Sequence, residues 1–144
     1  MIRNYSRKIQ NIYPASNKAS WLISANLFLS FRYAMQGLVF GFRTQRNFRI
    51  HLFLAAIAFV LAVFLKITIS NIAILILTVT AVLVLELLNT SIEALVDLSI
   101  GRRFHPLAKV AKDCAAASVL VASIASLVIG GLLILPPLLA YMGF

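Results

Sequence analysis

Polar and apolar positions in this chain fall into long blocks. Ile50 to about Ile67 (IHLFLAAIAFVLAVFLKI) is an apolar run of roughly 18 residues, near the length a helix needs to cross hydrocarbon. A second run extends from about Asn71 to Leu88, and its helix is expected to continue to Leu98. Ile69, Ser70 and Asn71 predict a tight turn between the two. The stretch Gly101 to Pro106 (GRRFHP) then breaks the pattern. A third helix is expected from about Leu107 to Leu135, ended by Pro136 and Pro137, with LLAYMGF as a short apolar tail. Upstream, Trp21 to about Arg43 mixes many aromatics with Arg32, Arg43, Gly37 and Gly41. That mixture predicts an amphipathic helix lying in the membrane interface, with an ordinary first transmembrane helix as the plainer alternative. Residues 1–19 read as a flexible basic arm with no apolar stretch of the signal-peptide kind. The expected architecture is all-α and integral to the membrane: an N-terminal interfacial helix (about 21–43) plus three transmembrane helices (about 50–67, 71–98 and 107–135). These form one membrane domain, 20–144, after the arm.

Composition narrows the class. Hydrophobic residues make up 62% and charged residues 12% of the chain, against roughly 25% charged in soluble domains. A mean hydropathy of +0.98 excludes an ordinary soluble globule. The net charge of +9 raises nucleic acid as a partner, but the apolar runs leave no soluble scaffold to carry such a site. An anionic membrane face accounts for the charge better. Basic residues precede the first run and return between Arg102 and Lys112, while Lys66 stands alone in the first turn. The positive-inside rule then puts the N-terminus in the cytoplasm and the C-terminus outside a bacterial-type inner membrane. Cys114 is the only cysteine and reads as a small packing residue.

All four acidic residues lie between positions 86 and 113: Glu86, Glu93, Asp97 and Asp113. Carboxylates among apolar runs are costly and usually persist because they bind something. In ELLNTSIEALVD, Glu86, Asn89, Glu93 and Asp97 fall within an arc of roughly 80° on one helix, over about 16 Å of rise. Such a stripe repels itself unless cations neutralise it. Its oxygens suit Mg²⁺ held by one or two carboxylates plus substrate phosphates. From spacing alone, a proton or cation path and a structural ion-pair network with Arg43, Arg46, Arg49, Lys109 and Lys112 stay open beside metal–phosphate chemistry.

Two further motifs add basic groups. In HPLAKVAKDCAAASVL, Lys109 and Lys112 share a helix face and could hold phosphate oxygens, or could serve only as cytoplasmic anchors. Asp113 suits a helix start through the helix dipole alone. His105 could contact a nucleotide, although a lone loop histidine is more often simply solvated. The alanines and serines from Ala115 to Ser126 offer a small-residue face for close helix packing. In RTQRNFRIH, Arg43 to His51, arginines, amides and a histidine crowd the entry to the first span, as positive-inside anchoring alone would also place them.

Together ELLNTSIEALVD, HPLAKVAKD with its small-residue helix, and RTQRNFRIH resemble the prokaryotic diacylglycerol kinase family, which includes the undecaprenol kinases. The resemblance covers about residues 26–135. It implies a small membrane enzyme that uses ATP and Mg²⁺ to phosphorylate the primary hydroxyl of a membrane lipid, diacylglycerol or undecaprenol. It also implies a homotrimer with active sites at subunit boundaries near the cytoplasmic surface. By motif position, Glu86 is the expected general base and Glu93 a metal ligand. Asn89 is expected to place phosphate and metal. Lys112 and Asp113 match the nucleotide-contacting pair, and Asp97 and His105 match polar positions of the nucleotide site. The family's other metal-binding glutamate aligns with Gln45, whose carbonyl oxygen can ligate without carrying charge. Asn26 stands where the diacylglycerol-specific branch carries a basic residue, and HPLAK leans toward the undecaprenol kinases. The chain has no Walker-type glycine loop, so its nucleotide site must be built from helix side chains. The competing expectation is a family member weakened or inactivated at Gln45, acting as a membrane assembly or transport subunit.

Overall fold

A computed structural model describes residues 27–101 and 103–143. The basic arm 1–19, the start of the first expected helix with Asn26, and Arg102 lie outside the described residues. Four helices follow in order: α1 (Leu27–Thr44), α2 (Arg46–Phe64), α3 (Ile69–Ile100) and α4 (Pro106–Met142). The described residues are otherwise turns and short connections, with no strand among them. The chain divides into two compact units between Arg46 and Asn47.

Helix α1 belongs to the first unit. Arg32, Gln36 and Arg43 recur at helical spacing and mark a narrow polar side. Leu27, Phe31, Leu38 and Phe42 lie on the opposite side and are exposed. A helix with this division of faces suits the plane of a membrane interface. Thr44 bonds back to the Phe40 carbonyl at 2.7 Å, and the helix stops one residue later at Gln45.

The second unit is built from α2, α3 and α4. All three are long and apolar enough to cross a membrane. Their buried positions recur every four or seven residues: Phe48, Ala55 and Ala62 on α2; Leu75, Val82, Glu86 and Thr90 on α3; Ala115 and Val119 on α4. This is the spacing of helices packed along one seam. Alanine at two of the α2 positions lets helices approach closely where no hydrophobic effect drives them together. The rest of the apolar surface faces outward, as the hydrocarbon of a bilayer allows.

Three boundaries differ from the sequence expectation. Helix α2 starts at Arg46 rather than near Ile50, so the basic entry motif is itself helical. The first turn is earlier than Ile69–Asn71. The chain reverses at Leu65–Thr68, with Lys66 at φ 51° and Thr68 capping α3 by accepting from the Asn71 amide at 3.4 Å. Threonine satisfies an orphan amide at a helix start, which moves the boundary to its own position. Lastly, α4 does not end at Pro136 and Pro137 but runs through both to Met142. Membrane helices tolerate the two missing amides better than soluble ones, because the surroundings re-satisfy the freed carbonyls. The added length, about two turns, also places Tyr141 edge-on to Phe64 of α2, ring centroids 5.2 Å apart.

Candidate active site

Helix α3 is 32 residues long, or about 48 Å, well beyond the roughly 30 Å of a hydrocarbon core. The polar stripe occupies its C-terminal part, Glu86 to Asp97. Along that stripe Glu86 is buried, Asn89 and Glu93 are half-buried and Asp97 is exposed. The expected shared face is therefore present, graded from the helix seam to the surface.

Glu86 is the unusual member. It takes a seam position that hydrophobic side chains fill one and two steps earlier, and it is 2% exposed. Its Oε1 lies 3.4 Å from His51 Nε2 on α2, yet no well-directed hydrogen bond reaches that oxygen. Ser123 Oγ of α4 lies 3.5 Å from the same His51 nitrogen and donates to the Val119 carbonyl at 2.7 Å. Ser123 continues the seam of Ala115 and Val119, which explains why it faces α2. The three helices thus contribute one polar side chain each to a single layer. His51 and Ser123 also sit in the wall of an apolar groove of about 430 Å³ that includes Leu75, Gly130 and Gly131.

One turn further along, Asn89 donates from Nδ2 to Glu93 Oε1 at 3.2 Å. That bond fixes the amide orientation and leaves Asn89 Oδ1 buried without a partner. Two buried oxygens on adjacent turns, Glu86 Oε1 and Asn89 Oδ1, therefore lack donors. Buried acceptors in that state suit a ligand that supplies cations or donors. The set is all hard oxygen, and the described residues hold no cluster of three His, Cys, Asp or Glu that would cage an ion alone. The donor set fits Mg²⁺ of the kind shared with phosphate.

The outer end of the stripe meets the start of α4. Lys112 bonds Asp97 across the two helices, and Lys109 bonds Asp113 one turn along α4. Lys112 and Asp113 therefore do not pair with each other; each is held by a different neighbour. His105 caps α4, its Nδ1 accepting from the Leu107 amide at 3.2 Å, so only Nε2 is left for another partner. Gly101 turns the chain at φ 60°, and its amide bonds the Asp97 carbonyl at 3.0 Å. Gln45 belongs to the first unit, at the break between α1 and α2, and its amide bonds the Gly41 carbonyl at 2.8 Å.

The structure thus groups Glu86, Asn89 and Glu93 on one stripe, and Asp97, Lys112, Asp113 and His105 around the α3–α4 connection. Sequence reasoning passed over two residues: His51, which stands beside Glu86, and Ser123, which stands beside His51. His51 stood in a basic motif that anchoring explained, and Ser123 in a run read as packing surface.

Comparison with known proteins gives the arrangement a context. Residues 32–134 match the family described as prokaryotic diacylglycerol kinase. A diacylglycerol kinase of Synechocystis sp. is 50% identical over 125 residues, covering 87% of this chain and 71% of its own. The undecaprenol kinase of Bacillus subtilis is 41% identical over 111 residues, covering 77% and 89%. A diacylglycerol kinase of Escherichia coli is 34% identical over 96 residues, covering 67% and 78%.

Proposed function

The chain belongs to the prokaryotic diacylglycerol kinase family and is a membrane lipid kinase; on that premise we propose how its residues divide the work. The acceptor is the primary hydroxyl of a membrane lipid, diacylglycerol or undecaprenol, and the donor is the γ-phosphate of MgATP. The observation that carries this reading is Glu86: a carboxylate on the helix seam, next to the His51 imidazole and one turn from the Asn89–Glu93 pair.

Phosphoryl transfer needs little covalent help from the protein. It needs an in-line hydroxyl, a place for its proton and neutralised phosphate oxygens. Glu86 takes the proton as the hydroxyl oxygen attacks the γ-phosphorus, the bond to the β–γ bridging oxygen breaks and ADP leaves. Glu93 would hold the metal, Asn89 would offer its Oδ1 to the same ion, and Gln45 would be the matching neutral ligand by its place in the motif. When bound there, Mg²⁺ would offset the negative charge of the phosphate oxygens. Lys112 is the cation for the nucleotide phosphates, and Asp97, Asp113 and His105 hold and orient the nucleotide beside it. The active form is a homotrimer, with the N-terminus and the α3–α4 connection cytoplasmic and the C-terminus outside. The charge pattern supports that orientation.

The test is transfer from γ-labelled ATP in mixed micelles to a panel containing diacylglycerol and undecaprenol. The expected result is Mg²⁺-dependent labelling of at least one lipid, lowered by ~10²–10⁴-fold in Glu86→Gln. Wild-type protein that labels neither lipid would overturn the reading. The label's preference between the two lipids identifies the acceptor.

A further inference from the structure

We propose that His51 is a positioning residue for the reaction, holding the Glu86 carboxylate through an Nε2–H. The proposal deepens the lipid-kinase reading and rests on Glu86 being the base.

Neither neighbour of Nε2 has a hydrogen to give it. Glu86 Oε1 is 3.4 Å away, and an ionised carboxylate offers only lone pairs. Ser123 Oγ is 3.5 Å away, and its single hydrogen is committed to the Val119 carbonyl at 2.7 Å. What Ser123 turns toward the imidazole is therefore also a lone pair. Two acceptors face one ring nitrogen, so that nitrogen carries the hydrogen. The proton sits on Nε2, within reach of Ser123 and of Glu86 Oε1, and no well-directed bond to Oε1 is made in this structure. Both separations are long for a hydrogen bond, as contacts of catalytic groups often are before substrate binds.

The setting gives this donor a purpose. The Glu86 side chain is 3% exposed, so water cannot hold its carboxylate in one rotamer. A buried base without a fixed partner would spread over orientations, and phosphoryl transfer depends on placement. By closing from 3.4 Å to hydrogen-bond distance, His51 would fix Oε1 and leave Oε2 for the acceptor hydroxyl. Ser123 in turn fixes the ring from the third helix. The base is thus set by all three helices of the unit, rather than by its own helix alone.

Two measurements test this on the full-length protein in mixed micelles. The first is steady-state kinetics of His51→Leu and His51→Gln, alone and combined with Glu86→Gln. Leucine removes the donor; glutamine restores an N–H at similar reach. We expect kcat to fall ~10–100-fold in His51→Leu, the loss typical when an orienting partner is removed. We expect KM for ATP to change little, and His51→Gln to recover most of kcat. In the Glu86→Gln background, His51→Leu should cost no further activity, because it acts through that carboxylate. An unchanged kcat in His51→Leu, or an undiminished loss in the Glu86→Gln background, would overturn the assignment. The second is the ¹⁵N chemical shift of the His51 ring in the wild-type protein. It should report hydrogen on Nε2; hydrogen on Nδ1 alone overturns the proposal whatever the variants do. Failure of the wild type to label any lipid would strike the lipid-kinase reading instead, and the ¹⁵N result would still stand.

Discussion

A carboxylate on the packing face of a membrane-spanning helix costs free energy wherever its charge is not fully met. Glu86 Oε1 has only a long contact to His51 and no well-directed donor, so its ionised form is under-compensated in this structure. Residues kept in such a state trade stability for function. We therefore expect Glu86→Leu to unfold no more easily than wild type in micelles, and more reluctantly by up to ~2 kcal/mol, while losing lipid phosphorylation. Thermal unfolding followed alongside activity separates the two effects. At the surface end of the stripe the expectation reverses. The Asp97–Lys112 pair is largely exposed, so Asp97→Asn should change stability by less than ~1 kcal/mol. If Asp97 orients the nucleotide, the same variant raises KM for ATP; an unchanged KM reduces the pair to a surface contact. Position 45 has its own test. Restoring charge with Gln45→Glu should lower the Mg²⁺ concentration needed for half-maximal rate, and an unmoved Mg²⁺ dependence removes Gln45 from the metal site.

At the scale of elements, the stripe on α3 was readable because helical periodicity alone places Glu86, Asn89, Glu93 and Asp97 on one side. Its partners were not. His51 and Ser123 sit on other helices, and their meeting depends on the rotation of three helices about their axes. That rotation is set by where Ala55, Ala62, Val82 and Val119 pack, and no single helix's period contains it. Helix ends were the other weak point. Pro136 and Pro137 predict a stop by the rules of water-exposed helices, and the structure carries α4 through them to the Phe64–Tyr141 contact. The α3–α4 connection offers a direct test of backbone geometry. Gly101 turns at φ 60°, in a region costly for residues with a Cβ, although open space surrounds the position. Gly101→Ala should cost ~1–2 kcal/mol through backbone strain, read by thermal unfolding. An unchanged midpoint would show that the turn relaxes freely.

For the whole molecule, three apolar helices and a strongly asymmetric distribution of basic residues were legible from residue order, because both are one-dimensional properties. The proposed orientation can be checked with a single reporter. In a Cys114→Ala background, Tyr141→Cys should react with a membrane-impermeant thiol reagent applied to intact cells from outside. Labelling only after the inner membrane is opened would invert the topology.

The short reversal at Leu65–Thr68 bears on how such a protein enters a membrane. So few residues join α2 to α3 that neither helix can settle across the bilayer while the other waits at a distance. In the proposed orientation the two would enter as a paired hairpin during synthesis, carrying Lys66 across together. A Glu86-bearing segment that entered alone would expose its carboxylate to lipid, at a cost of a few kcal/mol on insertion scales. Entering beside α2 brings His51 along, so a tight turn at one end of the helices helps the chain bury its acid at the other.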